Sequence, residues 1–597
     1  PSVRSGNGTL AASRALFKPE HVGALFQLTH SGQFEGRTIT GADQWTDPIE
    51  VTGVSTGRTV YWSVSGGAFT ATVRLQRSIG NSTSWENVAA GTGTYTTTAA
   101  GSFSYRDSED NVIIFYRLGV DTGDYTSGNP VLTINFPFGS TSGAARVTGF
   151  TSSVLVDMEV LASIGNITST SEWAEGAWSD LRGHPKGIGI FNGRLWNGFA
   201  DKIWGSGSDL YESQAAGDGD ADAIARTLAV GSSAPEIVWL LALGRLIAGT
   251  TLSAADVSPI KVATGLITVS SSALDEALTP SNTSVRQDDV TGVYVDQSGM
   301  TAMELVPPEQ GSSYASRSLM RLHRDIGSPG IVQLAFATRP DKRIFMVRAD
   351  GQLLVKLYDR GENTFGWSRI VTDGKVKSVA VLPGTSEDEI YALVDRDNDT
   401  QPWLLEKLGS LRRLASAADA NQLDSYVRYE GAAAVNMTGL GHLEGKTVRV
   451  WADGAYMGER TVVGGTLDTP LPSAKTPISA GLTYRGRDMS SRLALGAQAG
   501  SALAQLGKPV SIAFLLLNST RMVRFGHNFE KMDSLLERSG DQSYDTGPGL
   551  VDLTSEFRPL PGGYGRDPRL CIEAISPFPV TVSGYVIGHH LAEKVQA

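Results

Sequence analysis

Cysteine is almost absent from this 597-residue chain: Cys571 stands alone. That excludes an internal disulfide framework and any cysteine-rich zinc site. Its setting, RLCIEAI, alternates apolar residues, so the expectation is a buried structural thiol and not a nucleophile. Basic blocks are missing too. Lys and Arg total 51 against 62 Asp and Glu, a net charge of −11 with no run of cations. This argues against gripping nucleic acid through its phosphates, and it does not exclude a conduit that DNA slides through without sticking, where an acidic wall repels the phosphates. No stretch reaches the ~20 apolar residues of a membrane-spanning helix; SIAFLLLN (Ser511–Asn518) has the length of a strand. Helical periodicity is scarce. Pro19–His30, with Pro in its first turn, Ser312–Ile326 and part of Asp209–Leu228 are the stretches that suit short helices. The chain opens at Pro1 in PSVRSGNGTL, as if entering mid-protein, and the expectation is that the native polypeptide begins upstream.

What is present is turn chemistry and alternation. The 68 glycines and 25 prolines, with abundant Ser and Thr, punctuate a chain that is 41% apolar, enough for ordinary burial. Apolar residues alternate with period two between Gly, Asn and Asp turns, the pattern of strands. The length exceeds what one core supports. The fold class expected is therefore mainly β and multidomain. A leading segment with a short helix, 1–35, precedes an antiparallel β-sandwich insert at 36–148, built from runs such as RTVYWSVSG, FTATVRLQRS and NVIIFYRLGV. A β-propeller-like domain follows at 149–414. Its strand clusters begin near Ile188, Ile237, Val293, Ile331 and Val376, at the spacing of four-stranded blades. A linker at 415–426 leads to a small β module at 427–500, with turns at Asp453-Gly454 and Gly464-Gly465. An antiparallel platform-type β domain at 501–597 ends the chain.

Each reactive constellation fails on its own terms. GLGHLEGKT (Gly439–Thr447) resembles a phosphate loop, but Leu440 stands where a Gly is required, and a strand follows where the mechanism needs a helix N-terminus. GIGIFNG (Gly187–Gly193) lacks dinucleotide-fingerprint spacing. His589 and His590 are adjacent on a strand, so they point to opposite faces. Asp341, Asp350, Asp359 and Glu362 lie in turns, where local hydrogen bonding accounts for them. No metalloprotease or sialidase-box pattern occurs. The sequence thus assigns no catalytic, cofactor-binding or metal-ligating residue, and the chain is read as a non-enzyme without cofactors. In Gly183–Ser213, Asn192-Gly193 is a strong hairpin signal. Ile188, Ile190, Leu195, Trp196, Ile203 and Trp204 are expected to supply apolar strand faces, with Arg194 and Lys202 on the solvated face or an interface.

The same stretch carries a resemblance. GHPKGIGIFNGRLWNGFADKIWGSGSDLYESQ, DADAIARTLAVGSSAPEIVWLLALGRLIAGT and ALTPSNTSVRQDDVTGV, in that order, resemble the nozzle proteins (tail tubular protein B type) of short-tailed bacteriophages. The matching positions are Gly183, Pro185, Asn192, Gly193, Arg194, Leu195, Trp204, Asp222, Trp239, Leu278, Thr279, Pro280, Asn282, Val285 and Gln287. RADGQLLVKLYDRGENTFGWSR and the ending LPGGYGRDPRLCIEAISPFPVTVSGYVIG also fit, so the likeness runs from about Gly183 to the C-terminus. The resemblance implies a homohexameric ring at the distal end of a virion's tail. The ring would attach to an adaptor, dock tail fibres or spikes, and let genomic DNA pass through its lumen without sequence-specific binding. The self-contained insert Gly36–Phe138 is the expected fibre dock. The rival expectation is a carbohydrate-active or receptor-binding tail protein, a depolymerase or spike, which needs aromatic platforms and paired carboxylates.

Overall fold

The computed structural model describes the chain apart from residues 91–92, 95, 215–218, 229–233, 262–266, 270–271, 275–279, 287–290, 308–313, 360–363, 397–402, 411–413, 495–504, 536–546, 548, 561 and 593–597. The fold is mainly β and multidomain. Among the described residues there is no α-helix, only five short 3-10 turns. Contacts divide the chain into two compact units, Pro1–Pro185 and Lys186–Ala597.

In the first unit, alternation decides burial. Along the strand Leu25–Thr38, Phe26, Leu28 and His30 are buried while Leu25 and Gln27 are exposed. The helix expected over Pro19–His30 is therefore corrected to one 3-10 turn, Pro19–His21, followed by strand. The Pro start signal is real, but the period-two face finds a ladder partner in Val131–Ser152 and wins. These two long strands pair antiparallel, with a register slip between Phe136 and Ser140.

On one side of the slip they join Val60–Ser65 and Gly101–Tyr105 in a sheet. It packs on a second sheet of Thr70–Ile79, Ile114–Ser127 and Ile49–Val51, around Trp62, Leu75, Tyr116, Leu118 and Ile134. This is an antiparallel sandwich over the span expected to hold one. On the other side, Gly6–Ala11, Leu155–Ala162 and Trp173–Glu175 extend the first sheet over a separate core of Phe17, Phe26, Val147, Val156 and Met158. Leu155–Ala162 pairs with both Gly6–Ala11 and Val131–Ser152. The leading segment 1–35 is thus woven into this unit, which runs past Thr148 to Pro185.

The second unit begins with five antiparallel meanders. Gly187–Phe191, Arg194–Phe199, Lys202–Gly205 and Ile224–Thr227 form the first sheet. Ile237–Ala242, Leu246–Thr250, Ala254–Asp256 and Ser272–Ala273 form the second. Pro280–Arg286, Gly292–Asp296, Ala302–Val306 and Ala315–Ser318 form the third. Ile331–Ala337, Arg343–Arg348, Leu353–Asp359 and Thr364–Ile370 form the fourth, turning at Asp350-Gly351 as expected. Lys375–Leu382, Glu389–Asp395 and Trp403–Lys407 form the fifth. The first strand of each sheet lies against that of the next. This is the blade topology of a propeller.

Neighbouring sheets share a core. Trp196, Ile203 and Leu246 lie between the first and second sheets. Trp239, Ile247 and Tyr294 lie between the second and third. Val293, Ile344 and Tyr358 follow between the third and fourth, and Phe345, Val379 and Ile390 between the fourth and fifth. Five sheets therefore share four cores among the described residues.

Two further helix expectations fail here. Within Ser312–Ile326 the described residues form the strand Ala315–Ser318 and the start of the 3-10 turn Arg324–Gly327, because Ala302–Val306 requires a ladder partner. Within Asp209–Leu228 the described residues contain the strand Ile224–Thr227, which completes the first sheet, and no helix.

The small module is a five-stranded sheet of Asp424–Tyr429, Ile478–Leu482, Thr447–Ala452, Ala455–Val463 and Thr466–Leu467 over a core of Leu440, Val450, Val462 and Ile478. It turns at Asp453-Gly454 and Gly464-Gly465, all four at positive φ. The last domain packs one sheet, Arg485–Met489, Cys571–Ile575, Val523–Gly526 and Met532–Ser534, on another built around Gly507–Ser519 and Val582–Leu591. Phe514, Phe525, Leu570 and Ile572 fill the space between them. Arg485–Met489 thus belongs to this terminal sandwich although it lies within the span expected for the module.

Candidate functional site

Asn192 and Gly193, at φ 49° and 68°, form the two-residue turn that matches strand twist, and Phe191 pairs with Arg194 across it. The hairpin is as expected, but its faces are not. Trp196 and Ile203 enter the core, whereas Ile188 is 65% and Ile190 60% exposed. Lys202 is exposed, while Arg194, expected on a solvated face or interface, is buried. Its guanidinium donates to the carbonyl oxygens of Ser206 at 2.5 Å, Asp222 at 2.6 Å and Asp220. The physical reason is bookkeeping of the backbone: the carbonyls of Ser206, Asp220 and Asp222 face this guanidinium, and inward-turned carbonyls need donors. Arg194 and Asp222, both positions of the resemblance, thus meet as an anchor and its loop. Trp239 packs against Gly249, where an added Cβ would lie 2.1 Å from the indole. Leu278, Thr279 and Gln287 lie outside the described residues.

The rejected constellations stay apart. Gly441–Leu443 is a 3-10 turn running into the strand Thr447–Ala452, and Gly187–Phe191 is a strand. His589 and His590 sit side by side on Val582–Leu591, opposite Pro509 and Lys508. Asp341 pairs with Arg343 at 2.8 Å, and Asp350 accepts from Arg348 and from the Gln352 amide. Asp359 ends a strand; Glu362 lies outside the described residues. Cys571 is buried, with Sγ 3.6 Å from the His527 carbonyl oxygen, and burial pushes its thiol pKa up. That is opposite to what a nucleophile needs. Among the described residues no three His, Cys, Asp or Glu side chains cluster as a metal site, and no helix is long and apolar enough to cross a membrane.

Two surface features remain. The first is a set of exposed apolar side chains on the first and the last of the five sheets. Ile188 and Ile190 project from the first, and Trp403, 60% exposed, Leu405, 72% exposed, and Leu382 from the fifth. On the fifth sheet Leu393 stands opposite Leu405, and the same face carries the ion pairs Lys377–Asp395 and Lys407–Glu389. Large exposed apolar side chains among charged ones are the mixture found at protein contact surfaces.

The second is a basic face on the terminal sandwich, which the search for cation runs missed. Glu573, 1% exposed, lies beneath three arginines that are partly exposed: Arg487 Nε at 2.8 Å, Arg524 at 2.8 Å and Arg485 at 3.4 Å. Burial alone would raise the Glu573 pKa. The hydrogen bond from Arg487 and the charges of Arg485, Arg487 and Arg524 outweigh it and hold the carboxyl below its usual range. Beyond the ends of these strands, Arg492 and Arg569 share Asp567 at 2.8 and 2.9 Å. The Arg487 guanidinium also lies 4.8 Å from the Phe529 ring centre. The legible signal was three short arginine pairs, RGR, RMVR and RDPR, scattered over the last hundred or so residues and united only by strand pairing.

These features define a class: a multidomain β scaffold whose distinctive surfaces are suited to contact. No family model and no curated protein sequence matches the chain.

Proposed function

We propose that the chain is a structural subunit of a bacteriophage tail, the nozzle of a short tail, acting as a homohexameric ring below the portal and its adaptor. Six copies surround the DNA exit channel, retain the genome until ejection and dock fibres or spikes. DNA passes through the lumen without sequence-specific binding, and the protein resides at the distal end of the virion's tail. The observation that carries this reading is the set of large apolar side chains exposed on the first and the fifth of the five sheets, Ile188 and Ile190 on one, Leu382, Trp403 and Leu405 on the other. Two separate surfaces of this kind suit a cyclic assembly, which needs two complementary patches per subunit. The ordered resemblance from Gly183 onward supports the same reading, and so does the net charge of −11, which suits a wall that should not retain DNA.

Mass photometry of the purified chain, alone and with the adaptor, is the test. A species of six protomer masses, with subunit contacts burying more than ~2,000 Å² per pair, is expected. A monomer that also fails to assemble on the adaptor overturns the reading. Release of oligosaccharide from host envelope polysaccharide would overturn it in favour of a depolymerase.

A further inference from the structure

The basic face of the terminal sandwich is out of proportion to the chain that carries it. Five guanidiniums, those of Arg485, Arg487, Arg524, Arg492 and Arg569, surround two carboxylates, Glu573 and Asp567, in a protein whose net charge is −11. A buried carboxylate needs one bidentate partner, so three arginines on Glu573 exceed what its neutralisation requires. The surplus has a geometric result. Glu573 takes one N–H from each guanidinium and holds the planar groups in place, while the remaining N–H donors of these partly exposed side chains point away from it. Held in this way, they lose little freedom when a further acceptor arrives. Arg487 stacks near Phe529, and Met489, on the same strand, is 51% exposed. Arginine, aromatic and methionine side chains together are the composition of protein interfaces. A phosphate-tracking groove would instead be expected to string mobile cations along a path.

We propose that this face docks a carboxylate-rich surface of a second copy of the same chain, making one half of a heterologous subunit contact. The occupant follows from charge: a chain with 62 acidic and 51 basic residues that gathers three arginines on one sheet and two more just beyond its strands presents an acidic remainder to its neighbour. The inference rests on the ring reading above and names one surface of it.

Assembly is read by mass photometry for the wild type, for Arg485→Glu and for Arg487→Glu/Arg524→Glu, with circular dichroism reporting the fold. Arg485→Glu is the decisive variant, because Glu573 keeps Arg487 and Arg524 and the sheet keeps its support. The expected result is a folded protein whose assembly needs at least tenfold more protomer. Wild-type assembly should also weaken between about 0.1 and about 0.5 M NaCl, as screening shortens the reach of the charges. A wild type that assembles while Arg485→Glu assembles equally well overturns this inference and leaves the ring reading standing. A wild type that never assembles, even on the adaptor, overturns the ring reading itself. Arginine-dependent retention of a duplex DNA probe, with assembly unchanged, reassigns the face to a polyanion and overturns the proposal.

Discussion

At the scale of single residues, the buried charges in the second unit serve as fasteners. Arg396 shows this most fully. It follows the strand Glu389–Asp395, and its guanidinium binds both Asp424 oxygens at 2.9 Å and both Glu406 oxygens at 2.9 and 2.5 Å. Asp424 opens the first strand of the small module and also accepts from Thr372 Oγ1 at 2.8 Å and the Asp373 amide at 2.9 Å. One arginine thus ties the module to the last two sheets of the five-sheet series. Burial pushes the Asp424 carboxyl up, but the hydrogen bonds and charge of Arg396 prevail and hold it below its ordinary value of 3.8. The sign for the wild type follows: a depressed folded pKa stabilises fully above the unfolded value, and that stability is lost as pH falls below it. In Arg396→Met the opposing cause disappears and burial governs, so the folded pKa rises and protonation now favours the folded junction. The prediction is a cost of about 3 kcal/mol at neutral pH, typical of stranding a buried carboxylate, partly regained on acidification. Amide exchange at Asp373, corrected for intrinsic rate and compared between pH 7 and pH 5, checks it. The wild type should show unchanged protection and the variant should gain; equal behaviour of the two would remove Arg396 as the fastener.

At the scale of strands and sheets, packing depends on a few glycines that admit a large neighbour. Trp239 and Gly249 are cross-strand partners, and the indole occupies the space a side chain at 249 would need. Gly249→Val forces the ring out of the core it shares with Tyr294 and Leu305. Overpacking at such a site costs about 3 kcal/mol, and the expected sign is earlier proteolytic cleavage within Lys186–Ala597; cleavage at the wild-type rate would contradict it. This scale also separates what could be read in the sequence from what could not. Hairpins were legible because their turns are local: Asn192-Gly193, Asp453-Gly454 and Gly464-Gly465 carry positive φ at both residues, and Asp350-Gly351 at its glycine, where the residue types ask for it. The three expected helices failed because pairing decides their outcome. Leu25–Thr38 is a strand because Val131–Ser152, far along the chain, takes it as a ladder mate, and Ala315–Ser318 and Ile224–Thr227 are strands because the preceding strands Ala302–Val306 and Lys202–Gly205 do the same; that demand overrides a weak propensity. Arg194 was misread for the same reason, since the carbonyls it serves belong to a loop up to 28 residues away. The basic face needed strand pairings across 86 residues before its arginines could be seen together.

At the scale of the whole molecule, the first unit carries two cores on one pair of strands, so it can lose one core without losing the other. The dividing line is the register slip. Ser31 pairs with Ser140, while the stretch 32–139 holds the whole sandwich core from Ile39 to Phe136. Gly32 and Gly139, next inward from that pair, sit at φ 74° and 79°. Joined directly, they would form a two-residue loop with both φ values positive, the geometry of the tight turn that matches strand twist. Deleting residues 33–138 therefore replaces the sandwich by a Gly-Gly hairpin and leaves Phe17, Phe26, Val147, Val156 and Met158 covered by the strands that cover them now. Such a cut shortens Leu25–Thr38 and Val131–Ser152 together at the slip and keeps their pairing from Ser31–Ser140 to Leu25–Arg146, whereas a cut at Thr148 would split Val131–Ser152 within the stretch that pairs with Leu155–Ala162. If the sandwich is the fibre dock, the shortened chain forms rings of the wild-type copy number that no longer co-sediment with fibres. Rings that keep their fibres would move the dock elsewhere. A shortened chain that stays folded by circular dichroism yet fails to assemble would make the sandwich part of the ring wall itself.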